Sequence, residues 1–110
     1  MTAIEVRETD GGVVLAPAGR LTVMTAPTLR AAVAERITAG DRLVVIDLSV
    51  TEFVDSSGLG ALVSCLKSAR QVGGDLRIVA PTEQVAMVLR MTNLDRILKP
   101  RASVDDALRG

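Results

Sequence analysis

Residues 53–67 read FVDSSGLGALVSCLK: two apolar residues, an acid, two serines, Gly-Leu-Gly, and then a run with helical spacing. Leu59, Leu62, Val63, Leu66, Ala69 and Val72 recur at i, i+3, i+4 and i+7. That spacing marks one face of a helix starting near Ser57 and ending at Gly73-Gly74. Just upstream, residues 43–48 (LVVIDL) form a nearly continuous β-branched run, the pattern of a strand covered on both faces. Such a strand passing into an amphipathic helix specifies an α/β fold, because the parallel neighbours that bury it need helical crossovers.

The flanking segments extend this unit in both directions. Residues 4–8 (IEVRE) alternate apolar and charged, Asp10-Gly11-Gly12 supplies a turn, and residues 13–18 (VVLAPA) give a second strand, together a hairpin. Residues 19–24 read as a loop. Thr25 or Ala26 then caps a helix with Pro27 in its first turn, Leu29, Val33 and Ile37 inward, and Gly40 as its stop. Downstream, residues 75–80 (DLRIVA) are a strand, and Pro81-Thr82 open a third helix with Val85, Val88, Leu89 and either Met91 or Thr92 inward, closing at Asn93. A short strand is expected at Ile97-Leu98 and a final turn or helix over residues 103–108. The expected architecture is one domain over residues 1–110, a mixed β-sheet of four to five strands with α-helices packed against it.

Composition narrows the function. The chain has 110 residues, 48% of them hydrophobic, with Phe53 the single aromatic, so the core is aliphatic. Thirteen basic residues balance thirteen acidic ones and lie scattered, and stacking platforms are missing, which argues against a nucleic-acid target. Cys65 is the only cysteine and histidine is absent. An intramolecular disulfide, the common zinc sites and a histidine base are thereby excluded, and no catalytic, metal or cofactor site is expected. Neither a basic start followed by an apolar segment nor a window of roughly 18 apolar residues is present, so the expectation is a cytoplasmic protein without membrane insertion.

The chemistry concentrates at Asp55-Ser56-Ser57-Gly58, where a helix begins. Asp and Ser are among the best N-cap residues and glycine lets the chain bend tightly, so one reading is a well-made helix start and nothing more. The other reading uses the positive end of the helix dipole, which tolerates an added dianion. A phosphate on Ser56 would exchange a small neutral contact for about two negative charges beside Asp55, and so switch a partner's docking. Competing motifs are weaker. Gly58-Leu59-Gly60 starts like a dinucleotide fingerprint but has Val63 at the third glycine position. Ser64-Cys65-Leu66-Lys67 satisfies S-x-x-K yet falls inside a helix, and a hydrolase using Ser56 or Ser57 would lack a histidine base. Cys65, Met87 and Met91 read as packing residues.

Asp47-Leu48-Ser49, then Phe53-Val54-Asp55-Ser56-Ser57-Gly58-Leu59-Gly60, the later Gly73-Gly74 with Leu76, Ile78 and Val79, and SVDDAL at residues 103–108 resemble the bacterial anti-sigma factor antagonists, which carry the STAS domain. The resemblance spans nearly the whole chain. It implies a non-enzymatic regulator of transcription that works by partner switching. The unphosphorylated antagonist binds an anti-sigma factor that is also a serine kinase, releasing the sigma factor; the kinase then phosphorylates the antagonist, and a PP2C-type phosphatase reverses the mark. By the same resemblance the phosphorylated residue is Ser56, and Asp55, Ser57, Gly58, Leu59 and Gly60 form the helix start that the partner reads. Family members usually carry an acid four residues into the Gly-x-Leu-Asp loop, where this chain has Thr22, so partner choice is expected to differ. The alternative is a STAS-type structural adaptor in a stress-signalling or lipid-transport complex, with Ser56 unmodified. A monomer or weak dimer is expected in either case.

Overall fold

In the computed structural model, which describes residues 4–109, a four-stranded mixed sheet carries the molecule. The strands are β1 (Ile4–Thr9), β2 (Gly12–Pro17), β4 (Leu43–Asp47) and β6 (Asp75–Val79), in the order β1-β2-β4-β6. The first pair is the antiparallel hairpin read from the sequence; β2 with β4 and β4 with β6 are parallel. β2 and β4 are buried on both faces, as their β-branched runs require. β1 is an edge strand, and its alternation buries little: Val6 remains 47% exposed.

Helices α1 (Ala26–Thr38), α2 (Ser56–Gln71) and α3 (Glu83–Met91) share the larger core. There Leu29 and Val33, Leu62 and Leu66, and Val85 and Leu89 meet Leu15, Val44, Ile46 and Ile78 of the sheet. On the opposite face Val14, Val45 and Val79 pack with Ala107 of α5 (Val104–Leu108). Arg77 donates to the Ala107 carbonyl and helps hold that helix down. No helix among the described residues is long and apolar enough to cross a membrane.

Four expectations are corrected. Residues 19–21 are strand, not loop: β3 (Gly19–Leu21) pairs in parallel with β5 (Thr51–Val54) as a separate two-stranded sheet. Thr51, the one buried polar residue among those described, donates its hydroxyl to the Pro17 carbonyl at 2.6 Å, joining the two sheets. Ile97-Leu98 is not a strand but part of α4 (Asp95–Leu98), and the extra bridge at the β6 edge is made instead by Arg101 with Val79. On α3 neither Met91 nor Thr92 turns inward; both are exposed, and the inward positions are Val85 and Leu89, with Val88 half-buried against the core as expected. Val72 likewise leaves the helix face that it was expected to join, because it is the C-cap of α2.

Candidate functional site

α2 begins at Ser56 because Asp55 leaves β5 extended, at φ −107° and ψ −174°, and turns its carboxylate back to accept from the Gly58 N–H at 2.9 Å. The Asp55 carbonyl accepts from the Leu59 N–H at 2.9 Å, and its own N–H donates to the Leu21 carbonyl at 3.2 Å. The helix start is thereby tied to β3. Gly58 is the residue that permits the approach: a Cβ there would lie 2.3 Å from the Leu21 carbonyl oxygen and 2.7 Å from Val54 Cγ2.

Capping is therefore the work of Asp55, and the serines are left over from it. Ser56 is exposed and Ser57 half-buried, and neither hydroxyl makes a hydrogen bond among the described residues. Leu59 is buried against the core and fixes the rotation of the helix, which leaves Ser56 and Gly60 on the outer side.

Thr22 lies beside this start, in the turn that follows β3. Its N–H donates to Thr25 Oγ1 at 2.8 Å, the Met24 N–H donates to Thr22 Oγ1 at 3.3 Å, and Thr25 Oγ1 donates to the Arg20 carbonyl at 2.7 Å. Thr25 thus braces the turn and does not cap α1 with its side chain, although it holds the N-cap position. An aspartate at position 22 has the same acceptor for the Met24 N–H, so threonine keeps the turn and drops the charge. The turn holds Val23 and Met24 outward, 63% and 83% exposed. Arg20 stacks on the Phe53 ring 4.5 Å from its centroid.

A groove of about 480 Å³ starts at Ser56 and runs beside α2. Leu59, Val63 and Leu94 give it apolar lining, Thr92 comes from the end of α3, and among the described residues Lys67 is its only charged lining residue. No Asp, Glu, Lys or Arg occurs in residues 56–66 or 21–29. Apart from the capping Asp55, the surface around Ser56 is accordingly built from neutral segments. Sequence reading missed Thr92 and Leu94, which reach the groove only through the packing of α3 and α4. Val23 and Met24 were also missed, although apolar residues in a predicted loop were a visible signal.

The hydrolase reading finds no support in this geometry. Ser56 and Lys67 are eleven residues apart on one helix, about 16 Å along its axis. Cys65 is buried, and burial pushes its thiol up to about 11 against a small opposing effect of Arg30. It is a protonated packing residue. A second depression, about 500 Å³, lies at the other end of α2 among the turns containing Gly11, Gly40 and Gly73. Of its acids Asp10, Asp41 and Asp75, Asp41 is engaged by Arg36 at 2.8 Å and Asp75 by Arg70 and Arg77 at 3.3 and 3.4 Å.

Comparison with known proteins agrees with the fold. The STAS domain matches residues 3–107. A Thermotoga maritima protein named as an anti-sigma factor antagonist is 35% identical over 100 residues, covering 90% of this chain and 88% of that one. RsfB of Mycobacterium tuberculosis, an anti-sigma-F factor antagonist, is 28% identical over 109 residues, covering 97% of this chain and 87% of its own. A crystal structure of an anti-sigma factor antagonist from Thermotoga maritima superimposes with a TM-score of 0.88 at 33% identity, covering 96% of this chain and 92% of that one.

Proposed function

Because the chain belongs to the STAS domain family, and relatives aligned over most of its length are named as anti-sigma factor antagonists, we propose that it acts as one by partner switching. In this reading the unphosphorylated chain, a single domain over residues 1–110, binds an anti-sigma factor of the serine-kinase type in the cytoplasm, and the sigma factor is released. The kinase transfers the γ-phosphoryl of ATP to Ser56 Oγ: the new O–P bond forms as the Pβ–O–Pγ linkage breaks, ADP leaves, and the hydroxyl proton goes to a base. A PP2C-type phosphatase hydrolyses the ester and returns inorganic phosphate. The chain is a regulator and not an enzyme, and its part is to present and lose a neutral surface.

The observation that carries this reading is the state of Ser56: exposed at the first position of α2, with no hydrogen bond, while its neighbour Asp55 supplies the cap. Phosphorylation then breaks no contact of the fold. The dianion is tolerated at the N-terminal end of the helix dipole. It is hostile to a complex, because a partner covering residues 55–60 and the Thr22 turn would have to desolvate about two negative charges next to Asp55.

The test is intact-mass and phosphopeptide measurement on the protein from its own cells, followed by ATP-dependent phosphorylation with a purified anti-sigma factor. Phosphate on Ser56, absent from Ser56→Ala, is expected. An unmodified protein held by scaffold or transporter subunits under several growth conditions would instead favour the structural adaptor.

A further inference from the structure

The groove beside α2 has a shape and a charge that specify what lies in it. We propose that it receives a helical segment of the anti-sigma factor, about three turns long, with apolar side chains along one face and a carboxylate that meets Lys67. This rests on the reading above that the partner is an anti-sigma factor.

Gly60 gives the first reason. Glycine inside a helix weakens it relative to alanine, and the usual compensation is a neighbour too close for a Cβ. Gly58 has that compensation, but a Cβ on Gly60 would meet nothing within 4 Å. The fold does not use the space that Gly60 leaves open, and that space is part of the groove wall. Backbone of another chain approaching α2 would use it.

Length and lining argue for a helix over a small molecule. From Ser56 to Lys67 the groove follows about 16 Å of α2, the rise of three helical turns. Small-ligand sites hold their occupant with convergent fixed polar groups. Here the Thr92 hydroxyl is already turned to the Val88 carbonyl at 2.8 Å, and the remaining polar liners at Ser56 and Ser64 are exposed. An apolar trough along a helix is what an amphipathic partner helix fills.

Lys67 sets the charge of the occupant. Among the described residues it has no carboxylate partner, whereas Arg70, less than one turn further along α2, is bridged to Asp75 at 3.3 Å. No acid among the described residues lines the groove. The complement is a single carboxylate on the bound helix, at the end away from Ser56.

The test titrates the purified full chain with each purified kinase-type anti-sigma factor encoded in the same genome, by calorimetry. Lys67→Glu and Gly60→Leu should each weaken binding at least tenfold, with thermal melts at or above that of the parent chain. Ser56→Ala should bind like the parent. Both groove variants binding within twofold of the parent would overturn this inference and leave the Ser56 switch standing. If the parent binds none of these factors, the partner assignment fails and the groove assignment with it. A dimer of the chain that Lys67→Glu disperses would overturn it by identifying a second copy as the occupant.

Discussion

At its C-terminal end α2 is fastened and ringed by ion pairs; at its N-terminal end it is fastened, and past the capping Asp55 its first eleven residues are uncharged. Both ends use a glycine as the fastening. Gly74 sits so close to the preceding loop that a Cβ would lie 2.1 Å from the Arg42 carbonyl oxygen, and Gly58 is held to Leu21 in the same way at 2.3 Å. Beyond the fastening they diverge. Around Gly74 the surface carries Arg70, Arg77 and Asp75 in contact, and Asp41, which lines the same depression, is bridged by Arg36, itself paired with Glu8. Around Gly58 no charged residue occurs over residues 56–66. A surface that stays in water can carry ion pairs at little cost, since exposed pairs contribute only about 0–1 kcal/mol either way. A surface that is alternately bare and covered is better neutral, because each covering would desolvate its charges.

The largest expected effect comes from breaking what the two ends share. Gly74→Ala and Gly58→Ala each drive a Cβ into backbone that cannot rotate away, and each should cost about 3 kcal/mol in urea unfolding. At this chain length that is a fall in Tm of roughly 10–20 °C. A melt of Gly74→Ala within a few degrees of the parent would show that the loop yields, and the shared fastening would be wrong.

The next effect separates the ends. Ser56→Asp places one charge on the neutral side, and binding to the anti-sigma factor should drop at least tenfold, about 1.4 kcal/mol. Unfolding should move by less than about 0.5 kcal/mol, since the hydroxyl that is lost has no partner in the fold. Equal binding by Ser56→Asp and the parent would remove the reason for a neutral surface. Smaller again is the cap. Asp55→Ala loses the bond to the Gly58 N–H and should cost about 1 kcal/mol, seen as faster amide exchange in the first turn of α2. A protected first turn in that variant would mean that the Leu21 carbonyl alone holds the helix start.

Much of this layout can be read along the chain, and the exceptions share a cause. β2, β4, β6 and the first three helices announce themselves because each is five residues or longer and carries either an apolar run or a helical spacing. β3 has three residues and β5 four, too short to show a period, and each is a strand only because the other lies beside it. Ile97 and Leu98 illustrate the ambiguity of an apolar pair: one is exposed and the other buried, which suits a strand or a helical turn equally, and the hydrogen bond from the Leu98 N–H to the Leu94 carbonyl decides for helix. The same holds at the site. Asp55 to Gly60 is a local motif, legible in six consecutive residues, and it is the cap geometry that shows which of its three polar side chains is engaged, Asp55, and that the two serine hydroxyls are left over. The groove is nonlocal. Thr92 and Leu94 join it from more than twenty residues beyond Lys67, and no spacing in the sequence announces them.

The smallest expected effect is the sharpest on the contrast between the two glycines of Gly58-Leu59-Gly60. Substituting the first breaks a contact, whereas Gly60 has open space around its missing Cβ. Gly60→Ala removes the conformational freedom that glycine gives the unfolded chain and adds nothing that clashes. Stability should therefore rise, by about 0.5–1 kcal/mol, measured as a higher midpoint in urea at unchanged slope. A fold improved by so simple a change has a reason to leave it unmade, and partner contact at that helix face supplies one. If Gly60→Ala were destabilising, the glycine would have a role inside the fold after all, and the open groove wall would lose its meaning as a place kept for another chain.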